Sequence, residues 1–383
     1  MKRNHTLNLT AVAGICAALI LLAPPAARAQ DAADRLDMQA HQAYDQQNYQ
    51  LAIKYWSELI KMEPDDSTAW YNRGNSYQQL QKPDEAIADY TQAIKLDADD
   101  MESHRNRAQL FRNKWEAAIA KGDTDDADAD KMMEDYSEMV RIKPEAQNYY
   151  MRAATWRTLR KPDKAIEDYS AVIKLDDKNP QGYQFRGSTY YSIGQWDKAI
   201  DDFSQVIQLA PNAGYGYVLR GQAYLDKGDA DKAIADANDA VRVEPANADG
   251  YALLGNAHSV KGEYDKAITA YNDLQSKYPA YAEGFNAEAW LYATAPDDKV
   301  RDGAKAVELA QKACQMTGWN NASFIDTLAA AEAESGKFDD ALKHQKQALE
   351  VATKMKDDEW RLKDITSRIA LYEKKQAYHA PGK

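Results

Sequence analysis

Residues 180–213 read PQGYQFRGSTYYSIGQWDKAIDDFSQVIQLAPNA, and residues 214–247 read GYGYVLRGQAYLDKGDADKAIADANDAVRVEPAN. Set one above the other, the two lines match in kind at Tyr183 and Tyr217, Arg186 and Arg220, Gly187 and Gly221, Tyr190 and Tyr224, Ala199 and Ala233, Asp202 and Asp236, and Pro211 and Pro245. A fixed 34-residue interval of this kind marks a repeat architecture and has to be settled before any domain is drawn. The interval extends in both directions. The Ala of an "xAI" signature falls at Ala52, Ala86, Ala165, Ala199, Ala233 and Ala267, with Ala306 and Ala341 following. Two of the gaps are longer than whole periods. Nine windows result, with insertions in the third and the eighth: 33–66, 67–100, 101–145, 146–179, 180–213, 214–247, 248–281, 282–321 and 322–355.

Numbered from the start of each window, register 4 is bulky (Trp70, Tyr149, Tyr183, Tyr217, Tyr251, Phe285) and register 8 is small (Gly74, Ala108, Ala153, Gly187, Gly221, Gly255, Ala289). Register 11 is mostly aromatic, register 20 is Ala, register 24 is often aromatic, and register 32 is frequently Pro. Registers 4, 8 and 11 lie three or four apart and form one stripe of a helix; registers 20, 24 and 27 do the same for a second. Turn glycines (Gly194, Gly228, Gly262, Gly336) separate the stripes, and the proline closes the second helix. A helical Gly costs about 1 kcal/mol against Ala, so its recurrence at register 8 predicts that two helix backbones approach closely there. Each unit is therefore a helical hairpin that needs a neighbour to cover its apolar face.

This pattern resembles the tetratricopeptide repeat (TPR) family over residues 33–355. The resemblance implies an all-α, right-handed superhelical solenoid of about nine repeats with a concave groove. Residues 290–349 also look like a C-terminal block common in bacterial members. Residues 356–375 read as an amphipathic capping helix (Trp360, Leu362, Ile365, Ile369, Leu371), and 376–383 as a flexible tail.

Register 7 is Arg and register 23 is Asp in the same five repeats: Arg73 with Asp89, Arg107 with Asp135, Arg152 with Asp168, Arg186 with Asp202, and Arg220 with Asp236. Repeats 1 and 7 lack both partners, having Gln39 with Tyr55 and Leu254 with Ala270. Joint presence and absence predicts structural ion pairs.

By the resemblance, the first helix of each hairpin lines the groove. The candidate peptide-binding residues are Tyr71, Asn75, Gln78, Arg105, Gln109, Arg112, Tyr150, Arg157, Gln184, Ser188, Tyr191 and Gln222. Amides can hydrogen-bond an extended backbone and Arg pairs with carboxylates, so the expected ligand is a peptide bearing an acidic or C-terminal carboxylate group. The Lys and Asn pair with which some family members clamp a chaperone tail is absent from every repeat.

No catalytic constellation, metal-ligand spacing or phosphate-cradling loop emerges, and no cofactor is expected. The six His are scattered along the chain, four of them in four different repeats. Asp126, Asp128 and Asp130 alternate like the opening of a calcium loop, but Lys131 stands where the turn needs Gly and Ser137 where the bidentate Glu belongs, so a solvated loop is expected. Cys314 falls at a helix-packing register and reads as a buried small side chain.

The first residues read as an address. Lys2 and Arg3 precede an apolar run from Ala11 to Ala23, then Pro24 and Pro25, then Ala27-Arg28-Ala29. That is the pattern of a secretory signal peptide cleaved after Ala29, with an uncleaved anchor as the alternative. Cleavage removes Lys2, Arg3 and Arg28 and takes the net charge from -12 to -15. It also leaves Cys314 as the one cysteine, so no intrachain disulfide can form. An acidic balance of 60 Asp and Glu against 48 Lys and Arg excludes the basic surface a nucleic-acid binder needs. The function these features imply is a periplasmic, non-catalytic scaffold that holds protein partners. The alternative is an accessory subunit of an envelope enzyme or transport system, with a glycan or other non-protein ligand.

Overall fold

The computed structural model describes residues 25–122, 126–355 and 359–381. The apolar part of the address segment lies outside the described residues. Its cleavage triplet, Ala27 to Ala29, lies on the first turns of a helix that begins at Pro25. Among the described residues the fold is all-α, with consecutive helices paired as antiparallel hairpins. It divides into two compact units, Met1–Lys161 and Pro162–Lys383. The division falls inside the fourth window.

The first unit contains α1 (Pro25–Asp45), α2 (Tyr49–Met62), α3 (Ser67–Gln79), α4 (Pro83–Leu96), α5 (Met101–Ala120), α6 (Ala127–Ile142) and α7 (Ala146–Thr158). The second contains α8 (Pro162–Leu175), α9 (Pro180–Ser192), α10 (Trp196–Leu209), α11 (Gly214–Lys227), α12 (Ala230–Val243), α13 (Ala248–Lys261), α14 (Tyr264–Lys277), α15 (Ala282–Thr294), α16 (Gly303–Met316), α17 (Ala322–Glu334), α18 (Phe338–Lys354) and α19 (Glu359–Glu373).

Helix starts are written into the chain. Asp66, Asp100, Asn179 and Asn247 occupy the last register of their windows, and each side chain accepts a backbone N–H from the first turn of the next helix. Turns inside the hairpins are equally regular. Register 15 is left-handed in seven of the nine windows: Gly194, Gly228, Gly262 and Gly336 hold it, but so do Gln47 (φ 59°), Gln81 (φ 56°) and Arg160 (φ 54°). The core consists of the xAI alanines with the register 24 rings. Ala52, Ala86, Ala199 and Ala267 are fully buried, as are Trp56 and Tyr90.

Register 8 glycines do not bring backbones together. They leave room for a ring. A Cβ on Gly74 would lie 2.8 Å from the Tyr90 ring, and one on Gly255 would lie 2.3 Å from the Tyr271 ring. In the sixth window register 24 is Ala237, and Leu253 of the next hairpin fills the space beside Gly221.

Three further expectations are corrected. The acidic stretch is helix from Ala127 onward: Asp128 and Asp130 sit in the first turn of α6, where they favour its positive end, and Asp126 just before it accepts from Trp115 Nε1 at 3.1 Å. The buried stripe of α19 is Ile365, Arg368 and Tyr372, whereas Trp360 is 69% exposed. The tail does not fray as far as Pro381. Tyr378 packs on Trp290 with ring centroids 5.8 Å apart, His379 meets Glu334, and Ala380 N–H donates to the Thr294 carbonyl at 2.8 Å.

Candidate functional site

Four hairpins are held by a register 7 arginine. Arg73 donates through Nε and Nη2 to both oxygens of Asp89, each at 2.7 Å. Arg107 makes the same fork on Asp135, Arg186 on Asp202, and Arg220 on Asp236. The planar guanidinium matches the carboxylate, which is why Lys would not serve. Arg152 and Asp168 fall in different units.

A third contact escaped the sequence reading. Arg186 Nη1 donates at 3.1 Å to Ser170 of the preceding hairpin, and Arg220 does so to Ser204. Arg73 reaches Ser57 and Arg107 reaches Thr91 in the same way. Ser170 and Ser204 each donate their own proton to the carbonyl four residues back, which turns a lone pair toward the guanidinium. One side chain thus ties together its own hairpin and the one before. The signal was present as a Ser or Thr two residues after Tyr55, Asp89, Asp168 and Asp202. Where Arg is absent at Leu254, the preceding Asn238 turns instead to the Ile234 carbonyl.

Burial pushes the carboxyls of Asp89, Asp202 and Asp236 up from the ordinary carboxylate range, against the opposing pull of their arginines. Asp135 is fully buried and has two donors, Arg107 and His104, whose Nδ1 lies 2.7 Å away. His104 stands where most repeats have an aromatic at register 4.

The twelve groove candidates are not equivalent. In the first unit, Asn75 and Gln78 accept from the buried Tyr90 hydroxyl at 2.7 Å, and Asn75 also accepts from Asn106. They serve packing. Tyr71 lies against the Tyr90 ring. Arg112 donates to Thr155 and covers the Tyr136 ring. Tyr150 is half-buried. Gln109 is exposed and reaches Asn113, Arg157 is exposed, and Arg105 makes a surface contact with Glu102 on its own helix. Surface pairs of that kind are worth about 0–1 kcal/mol, so Arg105 is available for exchange.

In the second unit, Gln184 borders a shallow depression with Asn179, Gln181 and Tyr215, and Ser188 is half-buried. Tyr191 and Gln222 both donate to Asp226. An acidic residue therefore sits among candidates chosen for their lack of acid. Burial and the Asp226 carboxylate push the Tyr191 phenol up.

Among the described residues no His, Cys, Asp and Glu group has the arrangement of a metal site, and no helix is long and apolar enough to cross a membrane.

Family models of the tetratricopeptide repeat match residues 67–100 and 218–282, and a TPR repeat model matches residues 187–228. Human serine/threonine-protein phosphatase 5 is 28% identical over 131 residues, which cover 34% of this chain and 23% of that protein. Mouse protein O-mannosyl-transferase TMTC3 is 27% identical over 143 residues, covering 36% of this chain and 16% of the other. Human DnaJ homolog subfamily C member 7 is 31% identical over 85 residues, or 21% and 17% of the two chains. The chain thus spans less than a quarter of the curated relatives it matches. Among solved structures, YrrB, a TPR protein with an unusual peptide-binding site, aligns with a TM-score of 0.40 at 17% identity, covering 51% of this chain and 95% of that one. The Cut9 and Hcn1 hetero-tetramer of the APC/C gives 0.47 at 14% identity, with 89% and 90% covered. The hairpins are built on the matched register, and the chain carries tetratricopeptide repeats at residues 67–100 and 187–282.

Proposed function

We propose that this protein is an exported, non-catalytic scaffold that binds a peptide segment of a protein partner. The observation that carries the reading is the division of labour among first-helix side chains in the first unit. Asn75, Gln78 and Arg112 are spent on packing, whereas Arg105, Gln109 and Arg157 remain available on the surface. Two arginines and an amide on stacked hairpins suit a peptide carrying carboxylate groups. The address segment at residues 1–29 supports export and a periplasmic setting.

The test is capture from envelope extract on immobilised residues 30–383, compared with an Arg105→Glu/Arg157→Glu variant. Loss of specific partners from the variant supports this surface; identical recovery overturns it.

A further inference from the structure

We propose that residues 376–381, the segment after α19, form an autoinhibitory strap, which closes the inner face of the last two hairpins of the second unit against other proteins until it is displaced. The proposal rests on the protein-binding reading and adds how access to one end of that face is controlled.

What the strap covers follows from register. Trp290 stands at register 9 of the eighth window and Ala333 at register 12 of the ninth. Those are the registers that put Asn75 and Gln78 among the groove candidates of the first unit. In the second unit the chain supplies its own cover there. Ala377 and Tyr378 pack against a buried cluster of Ala329, Ala333, Ala341 and Tyr372. The Tyr378 ring also lies against Trp290. Further along, Ala380 donates its N–H to the carbonyl of Thr294, the last residue of α15. Carbonyls in the last turn of a helix have no partner within it, so the strap takes up an acceptor that α15 leaves open. Ala380 and Pro381 then border the cleft of about 770 Å³ that Ser259 and Val260 line from α13.

The strap is held lightly. It leaves α19 through Lys375, at φ 55°, a left-handed conformation that L side chains rarely adopt. The Gln376 N–H closes that turn on the Leu371 carbonyl at 3.0 Å. Among the described residues, two hydrogen bonds tie residues 377–381 to the rest of the chain: the Ala380 amide on Thr294 at 2.8 Å and His379 Nε2 on Glu334 at 2.7 Å. The His379 side chain is 40% exposed, and exposed pairs contribute little. Glu334 keeps Arg301 at 2.9 Å when His379 leaves.

The floor beneath does not depend on the strap. Arg368 lies over the Trp290 ring at 5.1 Å, and Asp326 and Asp364 hold its guanidinium. Gln345 holds Asp326 in turn. None of these groups belongs to the strap. Release therefore uncovers a surface already in place, Trp290 backed by Arg368 and the alanines of α17, and leaves the cap folded.

Tethering gives the strap its effect. A segment joined by a short linker meets its site at an effective concentration in the millimolar range. A competitor's apparent affinity falls in proportion to the fraction of molecules that are open. The closed strap excludes weak binders and yields to strong ones.

The experiment is an NMR titration of isotope-labelled residues 30–383 with an unlabelled peptide of residues 374–383, KKQAYHAPGK, taken to several millimolar, the effective concentration it has to match. Wild type is compared with Tyr378→Ala and Ala380→Pro, which loosen the strap at different contacts, each checked for helical content by circular dichroism. The readouts are the Trp290 indole N–H signal and hydrogen exchange at the Ala380 amide. Wild type should protect the Ala380 amide and leave the Trp290 signal unmoved by peptide. In both variants the peptide should shift that signal, with an apparent affinity at least about tenfold tighter than for wild type. In Tyr378→Ala the Ala380 amide should exchange at least about tenfold faster. The same peptide carrying Tyr378→Ala should bind neither variant. An equal response of wild type and both variants, whether all take the peptide or none does, overturns the strap. So does a Trp290 signal that answers equally to the Tyr378→Ala peptide. Neither result touches the arginine face of the first unit, which the envelope capture decides on its own.

Discussion

Replacing Arg186 with Met strands Asp202. The Asp202 side chain is 6% exposed and the Arg186 side chain 22%. Removing one partner of a buried pair costs about 3–5 kcal/mol; because the arginine head reaches water, about 2–3 kcal/mol is expected here. Asp202→Asn should cost less, about 1–2 kcal/mol, since the guanidinium keeps Ser170 and some water. Ser170→Ala removes only the link between hairpins, about 1 kcal/mol. The double variant Arg186→Met/Asp202→Asn should fall well short of the sum. pH gives a second, independent readout. Burial raises the Asp202 carboxyl and Arg186 opposes it. A raised folded value gives a contribution to stability that is present below the unfolded value of about 3.9 and is lost as pH rises through the folded one. Without Arg186 the folded value climbs further, so the penalty of Arg186→Met should be smaller at pH 4 than at pH 7. Urea unfolding followed by circular dichroism at both pH values measures this. A coupling energy below about 0.5 kcal/mol, or a penalty undiminished at pH 4, would refute the buried-pair reasoning.

Gln81 sits in the left-handed region at φ 56°, so Gln81→Gly should raise stability by about 1 kcal/mol; a lower urea midpoint would contradict this. Gly255→Ala gains about 1 kcal/mol of helix propensity but puts a Cβ 2.3 Å from the tethered Tyr271 ring, so a net loss of about 1–2 kcal/mol is expected from overpacking. Gly250→Ala, whose nearest neighbour is Val241 Cγ2 at 3.2 Å, should be near neutral, and equal effects at the two sites would sink the steric argument. Burial pushes the Cys314 thiol up to about 12, with Glu332 adding to it. The native protein should therefore resist thiol reagents at pH 8 and react once unfolded, and fast native labelling would disprove this. Glu263 accepts from Lys261, Lys266 and His258, which hold its carboxyl at about 2. Its stabilising contribution is present above the ordinary value of about 4.3 and fades as pH falls toward 2. Carboxyl chemical shifts report the midpoint, and one near 4 would rule the cluster out.

What the 34-residue period made legible is whatever every hairpin needs. Ala199 and Phe203 recur in kind because each second helix must seat a small side chain and a ring against its partner. Arg186 and Asp202 recur because the fork between them spans one hairpin. Three things were legible only in part. Gly255 announced a close approach, but the spacing cannot say whether backbone or ring approaches; the Tyr271 hydroxyl, drawn to Asn256, decides for the ring. Asn75 and Gln78 looked like ligand contacts because amides at an inner register suit a peptide, whereas the Tyr90 hydroxyl had first claim on them. Ser170 and Ser204 repeat as faithfully as the arginines, yet a serine has many uses and only the guanidinium geometry singles one out.

What does not repeat is hidden from such a reading, and the C-terminal half of the second unit is where repetition fails. Asp326, Gln345 and Arg368 form a buried polar knot with no counterpart in the earlier hairpins, spanning 42 residues of sequence between Asp326 and Arg368. A charge pair this far apart is chosen by the docking of α19 and cannot be seen in a window of one period. Its consequence is local. Arg368 lies over Trp290 and Tyr378, Tyr378 packs on Trp290, and the Ala380 N–H closes the tail onto the Thr294 carbonyl. The periodic part of the chain makes the rods interchangeable; a surface that discriminates between ligands has to come from residues that break the period. The exposed arginine face at Arg105 and Arg157 meets that condition in the first unit.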